Sequence, residues 1–104
     1  MKKDVMDFFT AELGLGSEDT QSLYDTFMSS FSEVVADLRK ASPADEMELR
    51  RITHSVIGFS QNVGALDLFE AATALNACAK AHDVPGAEAG AARIIALYES
   101  YVRG

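Results

Sequence analysis

The chain has 104 residues, is 48% hydrophobic and carries a formal charge of −7. That length and hydrophobic content fit one globular domain spanning 1–104 and exclude a disordered chain, while the acidic balance speaks against a nucleic-acid partner, whose phosphates call for a basic surface. A single cysteine, Cys78, excludes an internal disulfide and suits a cytoplasmic setting, and no apolar run is long enough to span a membrane.

The N-terminal "MKKDVMDFF" starts basic but meets Asp4 and Asp7 at once. It lacks the apolar centre of a signal peptide and is expected to belong to the fold. The spacing predicts a first helix over about 3–13, with Val5, Phe8 and Phe9 on one side and "GLG" (14–16) ending it. Two glycines with no preceding strand do not make a phosphate loop.

A second helix is expected from Glu18 to Ala41. Ser17 is its candidate cap, Glu18 and Asp19 suit its positive end, and Arg39 and Lys40 suit its negative end. Leu23, Phe27, Phe31, Val34, Val35 and Leu38 form its apolar stripe. The third helix has Ser42 as candidate cap and Pro43 at its first position, followed by Asp45 and Glu46. It runs to about Asn62, with Gly64 past its end. A fourth helix near 65–82 carries Leu66, Phe69, Ala72, Leu75 and Ala79, and "HDVPG" breaks it. The fifth, about Pro85 to Val102, places Ile94, Ile95, Tyr98 and Tyr101 inward. No segment alternates with period two, so the chain is read as all-α, and short breaks between amphipathic helices imply antiparallel neighbours in a bundle.

The third helix contains "RRITHSVIGFSQNVG" (50–64). At about 100° per residue, Leu49, Ile52, Val56, Phe59 and Val63 gather within roughly 40° of the direction opposite His54. His54 is therefore expected to face solvent, with Arg50, Gly58 and Gln61 nearest to it and Ile57 and Arg51 on its flanks. Glycine inside a helix costs roughly 1 kcal/mol relative to alanine. One turn from an exposed imidazole, Gly58 clears the approach to the ring, and an exposed Ile57 would supply an apolar docking spot.

A metal site needs several ligands at compatible spacing. Cys78 and His82 stand alone as an i,i+4 pair, so no metal is expected. Ser55 points about 100° away from His54 and does not form a nucleophile pair with it. An exposed, approachable histidine acting alone fits a covalent nucleophile, with a ring nitrogen free at cellular pH.

The run "LRRITHSVIGFSQNVGALDLFEAATALNA" (49–77) resembles the signature of histidine-containing phosphotransfer (HPt) domains. The matching positions hold His54, Val56, Gly58, Gly64 and Leu68. Ile57 stands where that family has a lysine, and Phe59 where it usually has a small residue. The resemblance implies an up-and-down four-helix bundle with an additional N-terminal helix. It also implies phosphoryl transfer through His54 between receiver domains of response regulators or hybrid histidine kinases, in a two-component phosphorelay. Such a phosphoprotein has no kinase or hydrolase activity of its own and needs no cofactor, Mg²⁺ belonging to the partner receiver. Gly58, Ile57, Gln61, Arg50 and Arg51 would support or dock, Arg50 being suited to stand in for the missing lysine by its planar fork. Arg50 could equally pair with Glu46 one turn earlier. A monomer is expected, and the alternative function is an HPt-like module that binds a receiver or kinase without carrying phosphate.

Overall fold

The structure, a computed structural model, describes residues 5–8, 11, 14 and 16–104. Four helices follow one another: α1 (Ser17–Lys40), α2 (Glu46–Asn62), α3 (Leu66–Lys80) and α4 (Val84–Arg103). Residues 5–8 and Ala11 are also helical, and no strand occurs among the described residues. Phe9 and much of the expected 3–13 helix lie outside the described residues. Gly14 has φ +64°, the left-handed conformation that ends a helix at low cost in glycine.

Along α1, Tyr24, Phe27, Phe31, Val34, Val35 and Leu38 are buried at the three- and four-residue spacing of one helix face. Leu23, expected in that stripe, is 41% exposed. Tyr24 takes its place, and its hydroxyl donates to the Tyr101 carbonyl at 3.3 Å. Burial, aided by the neighbouring charge of Asp25, raises the Tyr24 phenol above its ordinary pKa. The cap position of α1 is Gly16, extended and without a side-chain cap bond, so Ser17 is already helical.

The start of α2 also differs from expectation. Ser42 and Pro43 belong to a turn, in which the Ser42 hydroxyl accepts from Ala44 N at 3.1 Å and the Ser42 carbonyl from Asp45 N at 3.0 Å. Asp45 is the true cap, its carboxylate accepting from Glu48 N at 3.1 Å. Both residues are good cap types, and the turn at Pro43 delays the helix to the second one. At the other end Gly64, φ +69°, lets Ala65 N bond Ser60 O at 2.9 Å and Gly64 N bond Gln61 O at 3.3 Å, a Schellman closure.

In α3 the inward residues are Leu68, Ala71, Ala72, Leu75 and Ala79, whereas Leu66 is 70% exposed and Phe69 is half-buried. Alanines let α3 pack closely on both neighbours. α4 is capped by Asp83, which accepts from Gly86 N at 3.0 Å, and buries Ala87, Ile94 and Tyr101.

α1 packs on α2 and α4, and α3 on α2 and α4, so the helices form a bundle around one apolar core. Aromatic rings fill the part shared by α1, α2 and α4: Phe31 meets Tyr98 edge-on at 5.1 Å and Phe27 meets Phe59 at 5.7 Å. Phe59 is thus a partly covered member of the core. Among the described residues, no helix is long and apolar enough to cross a membrane.

Candidate functional site

The site is built on the middle of α2. Leu49, Ile52, Val56 and Val63 are buried, which turns His54 outward, and the imidazole is exposed. Among the described residues it makes no hydrogen bond or ion pair. Gly58 and Gln61 are also exposed on this face. A Cβ added at Gly58 would meet nothing within 4 Å. Its φ is not in the left-handed region, so neither packing nor backbone conformation of this chain demands glycine there.

The buried arc of α2 is rotated relative to the apolar stripe, because Thr53 and Ser60 are also fully buried. Thr53 Oγ1 lies 3.0 Å from Arg50 O and 3.1 Å from Asn76 Oδ1 on α3, and the Ser60 hydroxyl donates to Ile57 O at 3.2 Å. Hydrogen-bonded hydroxyls are buried at little cost, so α3 packs over them. The rotation brings Ile57 in with them. It is half-buried against the core, a correction to the exposed apolar spot expected beside His54. Met47 supplies an exposed apolar group instead: it is 84% exposed and lies two turns before His54 on the same face. The projection that placed His54 outward contains Met47 as well, seven residues earlier, and the missed signal was there.

Both arginines of the face are engaged. Arg51 donates from Nε to Glu48 Oε2 at 3.1 Å and from Nη2 to Asp37 Oδ2 on α1 at 3.1 Å, with a further bond from Nη2 to Glu48 Oε1. The hydrogen bond from Arg51 holds Glu48 below the usual carboxylate range, partial desolvation working the other way and the charge of Arg51 adding to the fall. The same bonds raise the Arg51 guanidinium further above neutrality. Arg51 therefore clamps α1 to α2.

Arg50 is half-buried and donates from Nη1 to Glu46 Oε2 at 3.2 Å, so the pairing weighed against a phosphate-binding role is the one present. Its Nε is buried without a hydrogen-bond partner among the described residues. The other oxygen of Glu46, Oε1, lies 3.2 Å from His82 Nε2. His82 lies two residues past the C-terminal end of α3, with φ +56°, where Asp83 N bonds Cys78 O at 2.9 Å and His82 N bonds Ala79 O at 3.2 Å. This tertiary contact across the α3–α4 turn has no local signal in the sequence.

Ser55 donates its hydroxyl to Arg51 O at 3.4 Å within its own helix and takes no part at the imidazole. Among the described residues, no group of three or more His, Cys, Asp or Glu side chains is placed to hold a metal ion. Beyond the His54 face, an apolar groove of about 280 Å³ opens between α1 and α2, walled by Leu23, Phe27, Phe59 and Val63. Comparison with protein-family models, with curated proteins and with solved structures returned no match.

Proposed function

We propose that this chain is a histidine phosphotransfer protein of the HPt type, an up-and-down four-helix bundle preceded by an N-terminal helix, which carries a phosphoryl group on His54. The observation that carries the reading is the pair formed by an outward, uncommitted imidazole and, one turn on, a glycine for which this chain itself has no use. Gly58 sacrifices helix stability and returns only open space beside the ring. Such space serves a partner that must approach closely. The HPt-like run around it (49–77) supplies the chemistry.

In this reading a ring nitrogen of His54 attacks the phosphorus of a receiver's aspartyl phosphate. The P–O bond to the aspartate breaks, an N–P bond forms, and the aspartate leaves as a carboxylate. Transfer to a second receiver reverses these steps on its own aspartate. The convex helix surface around His54 cannot enclose a transferring phosphoryl group, so the receiver supplies the cavity and the Mg²⁺. The chain is a carrier without kinase or hydrolase activity of its own, acting as a cytoplasmic monomer.

The engagement of Arg50 and Arg51 by carboxylates and the half-buried Ile57 where the family has lysine favour one competing reading. It is a helical module that binds a receiver or kinase without carrying phosphate. Incubation with a phosphorylated receiver domain separates the two. Acid-labile, base-stable label is expected on the wild type and absent from His54→Gln. Binding without label would favour the module, and label that persists in His54→Gln would move the site to His82.

A further inference from the structure

Glu46 joins Arg50 of its own helix and His82 of the α3–α4 turn in one array. Glu46 is partly buried, 29% exposed at its side chain, and faces the Arg50 guanidinium and the His82 imidazole, each 3.2 Å away. Arg50 lies one turn before His54 on the same face. Helical side chains lean toward the N-terminus, so the His54 ring covers the turn that Arg50 starts from. The bond to Glu46 draws the guanidinium of Arg50 the same way, but onto a carboxylate one turn further back. Arginine has five donors, and Glu46 takes only one of them, at Nη1.

We infer that Glu46 is a positioning residue that competes with a phosphoryl group on His54 for Arg50, and so sets how long the phosphohistidine lasts. The inference rests on the phosphocarrier reading. A phosphoryl group on His54 adds a dianion within one turn of the guanidinium. Arginine prefers such a planar, bidentate partner. To reach it, Arg50 must give up part of its bond to Glu46, which His82 then holds alone. As the N–P bond loosens toward a metaphosphate-like transition state, the phosphoryl oxygens lose charge. A contact from Arg50 therefore favours the intact phosphohistidine over its breakdown. Glu46, by holding Arg50 back, shortens the lifetime and keeps the group transferable. This assigns a role to the charge pattern at a site where the family's lysine is absent.

The test uses the full chain, labelled by incubation with a phosphorylated receiver domain that is then removed. Site-resolved mass spectrometry follows label on His54 over time, apart from any on His82. Glu46→Gln is expected to lengthen the His54 phosphohistidine half-life by about threefold, the scale of a partly exposed ion pair. In an Arg50→Gln background the same change is expected to do nothing, a dependence that a merely structural Glu46 would not show. Label on His54 with a half-life unaffected by Glu46→Gln, or lengthened equally without Arg50, would overturn the inference and leave the carrier reading standing. Absence of label on His54 would overturn both.

Discussion

The middle of α2 and its C-terminal end each hold a glycine, for opposite reasons. Gly64 is demanded by the fold: its φ is +69°, and an added Cβ would come within 2.6 Å of the Phe8 ring. Gly58 sits in regular helix with open space where its side chain would be. One glycine closes a helix and admits a neighbouring ring, and the other weakens a helix without any internal return. The contrast separates a residue explained by folding from one that folding leaves unexplained, and it is why the His54 face is proposed as a docking surface.

Substitutions can break or sharpen that contrast. The largest effect is expected from Gly58→Glu, which puts a charged side chain beside His54. Phosphotransfer from a receiver should fall at least about tenfold, the loss that roughly 1.4 kcal/mol of docking energy produces, while the circular dichroism stays that of the wild type. Equal transfer rates would remove the clearance argument. Gly64→Ala should act on folding, lowering stability in urea by about 1–2 kcal/mol from its left-handed φ, with more added by the Phe8 contact. A neutral result would place the two glycines in one class. Gly58→Ala should raise stability by about 0.5–1 kcal/mol, read as a higher urea midpoint.

The smallest effect concerns the clamp behind the site. Glu48 is held below its ordinary pKa by Arg51, so its contribution to stability is full above about pH 4.3 and is lost as pH falls through the lower folded value. Arg51→Ala should flatten that acid limb of the melting temperature and leave the profile near neutrality unchanged in shape. A limb that persists in this variant would assign it to other carboxylates.

Much of this arrangement was legible in the sequence, where side-chain polarity and burial agree. The projection of α2 put Leu49, Ile52, Val56 and Val63 inward and His54 outward, and all five lie so. It missed Thr53 and Ser60, because a hydroxyl satisfied by its own helix hides its burial from a hydrophobicity pattern. The inward turn of Ile57 follows from the same omission. In α3, Leu66 and Phe69 carried more apparent weight than Ala71, yet the small residue faces the core because close packing needs it. The cap of α2 fell on Asp45 rather than Ser42, a choice between two good caps that only the turn between them decides. The Glu46–His82 contact joins residues 36 apart, and no local pattern encodes it.

The central claim is that His54 carries phosphate. Its most direct measurement is mass spectrometry, under conditions that preserve phosphohistidine, of the chain after incubation with a phosphorylated receiver domain. The account predicts a single added phosphoryl group on His54, lost in acid, kept in base and absent from His54→Gln. A receiver that binds the chain yet leaves His54 unmodified would contradict it.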